Sequence, residues 1–211
     1  MKILPIRNIK NTARILLTTG ALIAVPLGAV PKIQNKQELV ADVFENTNIV
    51  TPKGTTSASV LFHAPSPYIT VKGEEKIATI VVDLNKNILY KYDSLGIPQK
   101  AYLIASGKSK TPTDTGIRVV SHVERYPYKS APKTTKRYKN PSDYGPRTII
   151  LLKIDPITGE KTPTGEFIHG NNNSSSIGKY VSKGCMRMDN EVIKELASQV
   201  KRGDIVVIDK F

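Results

Sequence analysis

Phe167-Ile168-His169-Gly170, a polar loop over 171–181, and Ser182-Lys183-Gly184-Cys185-Met186-Arg187-Met188 form the stretch on which the whole reading turns. It contains the only cysteine of the chain and one of its three histidines. A thiol is a useful nucleophile only as thiolate, so a lone cysteine needs a base or cationic surroundings. His169 stands upstream across an Asn/Ser/Gly-rich loop that can fold the two together. Gly184, directly before the cysteine, permits a tight turn and a close approach of substrate to backbone, where N–H groups can face an oxyanion. The competing reading of the same residues is a buried free cysteine and an ordinary surface histidine.

The stretch resembles the signature of the L,D-transpeptidase catalytic domain, the cysteine enzymes that cross-link bacterial peptidoglycan. That family carries His-Gly at a strand end, a loop of about this length, then Ser/Thr-His-Gly-Cys followed by an apolar residue and Arg or Asn. His169-Gly170 and Ser182-x-Gly184-Cys185-x-Arg187 fit this pattern, whereas Lys183 stands where the family usually has histidine. The resemblance runs from Lys76 to Ile208, because Ile77 to Asp83, Ile88 to Tyr92, Gly107-Lys108 and Thr111-Pro112-Thr113 look like the opening hairpin and following loop. It implies a mainly β fold, a β-sandwich or mixed sheet with one or two short helices. It further implies Cys185 as nucleophile, His169 as base, and the Gly170 carbonyl as the group that orients the imidazole. The implied donor is a tetrapeptide stem cut between an L-centred and a D-centred residue with release of D-alanine. The acceptor is then a second stem amine, or water in a carboxypeptidase variant, and neither a cofactor nor a metal is called for.

Substrate contacts are expected from Ser182, Lys183 and Arg187 around the cysteine and from Tyr144 at the end of a basic, Tyr-rich segment. Arg187 lies two residues beyond Cys185, so an extended backbone sends both side chains the same way. A guanidinium there can grip a stem carboxylate bidentately, although a structural ion pair is the equal alternative. Lys183 and Arg187 flanking the thiol would favour the thiolate, provided that Gly184 does not break the alternation.

The chain has 211 residues, 39% of them hydrophobic, enough for one ordinary domain with extensions and a real core. Its net charge of +13 points to an acidic partner, nucleic acid or an anionic envelope polymer. Lys2, Arg7, Lys10 and Arg14 precede the apolar run 15–30 with no acid among them, which reads as an export signal over residues 1–29. Thr18, Thr19, Gly20 and Pro26 interrupt that run, so cleavage is favoured over an uncleaved membrane anchor. Export argues against nucleic acid and for a protein of the periplasm or cell wall, with peptidoglycan stems and glycan as partners. A single cysteine leaves no internal disulfide.

Residues 30–75 read as an amphipathic helix over 36–46 and a Thr/Ser/Pro/Gly spacer with extended pieces at 59–62 and 68–71. The catalytic domain is expected over 76–211. Strands are expected at 76–82, 88–92, 100–105, 117–123, 147–154, 166–169 and 204–209, with a loop at 106–116. Asp189 is positioned to cap a helix with Val192, Ile193, Leu196, Ala197 and Val200 on one face, closed by Gly203. Between them Tyr126 to Tyr144 is too long for a hairpin turn. By resemblance it is a flap over the site, and the alternative is a solvated insertion. His63 and His122 stand apart from any ligand spacing, so a metal hydrolase is disfavoured, and Gly-x-Ser-x-Gly is missing for a serine hydrolase. The rival from another class is a non-catalytic, basic wall-binding protein with a degenerate transpeptidase fold, for which Lys183 is the suspicious residue.

Overall fold

The computed structural model describes residues 63–129 and 131–211, together with 49–51, 54–56 and Leu61. The expected export segment and the helix expected over 36–46 lie outside the described residues, as does all but Leu61 of the piece expected at 59–62. A short hairpin, β1 (Ile49–Thr51) with β2 (Gly54–Thr56), comes first. It is followed by a second, β3 (Tyr68–Val71) with β4 (Glu74–Ile77). The run expected as one strand over 76–82 is broken, because the Ala78 N–H donates to Pro67 O and the Thr79 N–H to Ile205 O. Its second half is β5 (Ile80–Asp83), which turns through Leu84–Asn87 into β6 (Ile88–Tyr92) and then β7 (Pro98–Leu103).

These three strands join β9 (Gly116–Arg125), β10 (Arg147–Ile154), β11 (Lys161–His169), β13 (Met186–Arg187) and β14 (Ile205–Asp209) in one eight-stranded mixed sheet. Its order is β13-β11-β10-β9-β14-β5-β6-β7. Only β14 with β5 and β11 with β13 run parallel. The outermost strands meet. Ala105, just past β7, and Arg187 of β13 exchange two N–H···O bonds of 2.8 Å, so the sheet curls until its edges touch. A two-stranded parallel piece, β8 (Ser106–Gly107) with β12 (Tyr180–Ser182), continues that seam and occupies the start of the loop expected at 106–116.

The central strands are buried on both faces, and they read as unbroken β-branched runs for that reason. In β5, Ile80 and Val82 join one core and Val81 the other; in β14, Val206 and Ile208 oppose Val207 in the same way. The larger core is closed by α2 (Asn190–Gln199), the longer of two short helices traced in full among the described residues; the other, α1 (Lys136–Lys139), lies in the 126–144 segment. Asp189 caps α2 through a 3.1 Å bond from the Glu191 N–H, and Val192, Ile193 and Leu196 face the sheet. Helical structure stops at Gln199 rather than at Gly203, since Val200 is already extended and is itself buried in the core. The fold is thus mainly β, a curled mixed sheet with two short helices traced in full among the described residues. Among the described residues no helix is long and apolar enough to cross a membrane.

Candidate active site

Two adjacent parallel strands bring the histidine and the cysteine to one edge. Ile168 pairs with Met186 and His169 with Arg187, which sets Cys185 beside the end of β11. β11 starts at Lys161, five residues earlier than the apolar pattern indicates, because antiparallel pairing to β10 carries its polar first half. His169 is 3% exposed. Its Nδ1 bonds the carbonyl of Gly170, which accepts only, so Nδ1 carries the proton and Nε2 keeps its lone pair. Burial first, and the Arg187 charge next among the lowering influences, push the imidazole pKa down to about 4, so the ring is neutral at physiological pH.

Gly170 sits where no side chain fits. A Cβ there would lie 2.4 Å from Asn190 Oδ1 and 3.1 Å from the Cα of Gly145. Two chain segments and the helix start therefore converge on the glycine after the histidine. Asn190 Oδ1 accepts from the Asn171 N–H at 3.0 Å, and Asn171 Nδ2 donates to Met188 O at 2.6 Å. Both asparagines escaped the sequence reading, since nothing in their spacing separates them from ordinary loop and cap residues.

Cys185 is partly buried and leads into β13 from a turn at Gly184, whose φ is +113°. The thiol lies 3.9 Å from the Gly165 carbonyl, to which it donates, rather than on the imidazole. Catalytic hydrogen bonds are commonly loose without substrate. Burial pushes the thiol pKa up; the Phe167 N–H, Arg187 and Arg137 pull it down, while the Glu166 charge adds to the rise. Lys183 is exposed and is not among these influences. The Gly184 N–H is taken by Ser182 Oγ at 3.1 Å, and that hydroxyl donates onward to the Cys185 carbonyl at 2.6 Å. Ser182 is fully buried and shapes the turn. The Cys185 N–H has no partner among the described residues.

The turn is held from behind by a polar framework. Thr113 Oγ1 donates to Gly184 O at 2.8 Å and accepts from the Gly107 N–H at 2.9 Å. Asp114 donates its N–H to Glu166 Oε1 at 2.8 Å, and Glu166 Oε2 takes Arg118 Nη2 at 3.1 Å. Arg118 is fully buried and also donates to the carbonyls of Asp114, Thr115 and Ile117. A lone arginine inside the β-branched run Ile117-Arg118-Val119-Val120 was the one sequence signal of this framework.

The 126–144 segment covers the histidine face. Tyr144 places its ring 4.7 Å from that of His169, and Cys185 acts electrostatically on its hydroxyl. The segment is anchored in its middle, where buried Arg137 pairs with Glu124 at 2.6 Å and lies 4.8 Å over the Phe167 ring. Tyr128 is buried too and donates to Gly145 O at 2.5 Å. By contrast, Arg187 makes no side-chain hydrogen bond or ion pair among the described residues, and its Nε is buried. A half-buried guanidinium without a carboxylate is costly to keep and is a ready receptor for one.

A mainly β domain with a thiol and a neutral imidazole on neighbouring strand ends, under a tyrosine-rich cover, belongs to the Cys/His class of site. The family model described as "L,D-transpeptidase catalytic domain" matches residues 77–208, and the chain belongs to that family. It is 36% identical over 132 residues to a Bacillus subtilis (strain 168) protein named "Putative L,D-transpeptidase YkuD", covering 63% of this chain and 60% of that one. A Bacillus licheniformis protein of the same name is 40% identical over 129 residues, covering 61% and 64%. The chain thus spans less than two thirds of these relatives. Among solved structures, the catalytic domain of an E. faecium L,D-transpeptidase matches with a TM-score of 0.41 and 23% identity, covering 63% of this chain and 96% of that one. An Ldtfm–avibactam carbamoyl enzyme matches with a TM-score of 0.44 and 18% identity, covering 83% and 79%.

Proposed function

We propose that this protein is a cysteine L,D-transpeptidase acting on peptidoglycan stem peptides, exported to the periplasm or cell wall. Nε2 of His169 takes the thiol proton as Sγ of Cys185 attacks the carbonyl of the L-centred donor residue. The Cys185 N–H holds the oxyanion. Collapse breaks the bond to D-alanine, whose amine receives the proton from His169, and leaves a thioester on Cys185. A second stem amine then attacks that thioester and gives its proton to His169, the C–S bond breaks as the 3-3 type cross-link forms, and the released Sγ of Cys185 takes the proton back from His169; water in its place gives an L,D-carboxypeptidase. Arg187, whose side chain has no partner among the described residues, receives a stem carboxylate, and Tyr144 closes the site above the imidazole.

The observation that carries this reading is the His169 tautomer. The Gly170 carbonyl claims Nδ1–H and burial keeps the ring neutral, so Nε2 is available as a base on the strand next to Cys185. The experiment is labelling by a carbapenem followed by intact mass, alongside turnover of disaccharide-tetrapeptides. One adduct on the wild type, none on Cys185→Ala, and a loss of about 100-fold or more in turnover for His169→Ala are expected. Full turnover by Cys185→Ala overturns the reading, and an inert, unlabelled wild type that still binds cell wall favours the non-catalytic binder.

A further inference from the structure

Against the loop that braces the Cys185 turn lies an open cleft of about 440 Å³, whose lining includes Asn85, Lys108, Ser109, Tyr180 and Lys210 and no acidic residue. Neither lysine has an ion-pair partner among the described residues, and both are exposed. Tyr180 is 51% exposed, yet its hydroxyl is fixed by the carbonyls of Leu84 and Asn85, each at 2.8 Å. An aromatic ring held rigid in solvent spends no conformational freedom when a flat, amphipathic ligand lies against it. The two lysine ammonium groups of the lining select anions, and the Ser109 hydroxyl suits a polyhydroxylated chain, while the Asn85 amide nitrogen donates to Phe211 O at 3.0 Å.

We propose that this cleft is an accessory subsite for a carboxylate-bearing saccharide strand, a peptide-substituted glycan held outside the catalytic crevice. It rests on the proposed function for the identity of the polymer. Its volume falls within the range of ordinary ligand sites. The cleft also communicates with the nucleophile. Lys108 N–H and Thr111 Oγ1 both donate to Ser182 O at 3.1 Å, and Thr113 joins Gly107 to Gly184. A strand lying in the cleft therefore rests on the loop that holds the Cys185 turn and tethers the polymer beside it.

The test is direct binding by the Cys185→Ala protein, which requires no turnover. Ligands are soluble glycan of several disaccharide-tetrapeptide repeats, the same glycan stripped of peptides, and a glycerol-phosphate polymer. Lys108→Glu/Lys210→Glu is expected to bind the peptide-bearing repeats about tenfold more weakly, with the stripped glycan binding weakly to both proteins. Introduced beside an intact Cys185, Lys210→Glu alone is expected to leave turnover of a single disaccharide-tetrapeptide unchanged. Should the double variant lose thermal stability, Lys108→Gln and Lys210→Gln singly replace it. Unchanged affinity for the repeats, or tighter binding of the phosphate polymer than of the peptide-bearing glycan, overturns the proposal. Loss of carbapenem labelling in the wild type with cleft binding intact would instead count against the catalytic reading alone.

Discussion

At the scale of single residues, the site turns on which cation faces the thiol. Lys183 and Arg187 both flank Cys185 in the chain, but the +113° φ of Gly184 breaks the extended alternation between Lys183 and the cysteine. Arg187, with its buried Nε, acts on Cys185 and His169 together. Arg187→Met is therefore expected to move the midpoint of Cys185 alkylation to higher pH and to raise the substrate concentration needed, while Lys183→Met leaves the curve in place. Alkylation titrated against pH in the three proteins checks this, and a shift for Lys183→Met alone would reverse the assignment. Gly170 sets a second residue-level limit. A methyl group there meets the Asn190 amide oxygen, the Pro146 ring and the Gly145 backbone, so Gly170→Ala is expected to cost about 1–3 kcal/mol and to displace the carbonyl that orients His169. Denaturant unfolding measures the first effect and carbapenem acylation rate the second.

At the scale of elements, the turn carrying Cys185 is tied down by a two-residue strand with one pairing partner on each side, too little to hold it by itself. Rigidity comes from the 107–116 loop and from the buried Arg118 behind it. Arg118→Met leaves Glu166, whose side chain is 12% exposed, without its counter-ion. A loss of about 3 kcal/mol is expected from breaking such a pair, with slower acylation as the loop loosens. Equilibrium unfolding in urea, compared with the Arg118→Met/Glu166→Gln double variant, separates the stranded charge from lost packing. Recovery of stability in the double variant without recovery of acylation is the expected pattern. The 126–144 segment follows the same logic, since it is fixed by buried Arg137 and Tyr128 rather than by regular structure.

At the scale of the whole molecule, burying a neutral histidine links the protonation of the proposed base to stability. The folded pKa of His169 is about 4, against about 6.5 in the unfolded chain. Between those values the unfolded chain binds a proton that the folded one refuses, so stability falls as pH drops from about 6.5 toward 4 and is unaffected above that window. The shift corresponds to roughly 3 kcal/mol. Relative to His169→Gln, the native protein is expected to lose that much more stability between pH 7 and pH 4, read from denaturant midpoints; parallel pH profiles would show that the ring is solvated. The curled sheet is what makes this burial possible, because its joined edges leave the end of β11 enclosed.

Much of this was legible in order along the chain. The β-branched runs gave the strands, Asp189 and the apolar spacing gave α2, and His169-Gly170 with Gly184-Cys185 gave the candidate pair, because backbone propensity, capping and reactive side chains are local properties written residue by residue. The sequence also supplied the charge and the departure at Lys183. What it could not contain is pairing between distant segments. The parallel register that sets Cys185 beside β11, the bridge from Ala105 to Arg187 that closes the sheet, and the convergence of Gly145, Gly170 and Asn190 exist only once the chain has folded. The tautomer of the imidazole, the occupied Gly184 N–H and an Arg187 side chain with no partner among the described residues are likewise tertiary features, since burial and hydrogen-bond partners are decided by what other segments bring to the same place.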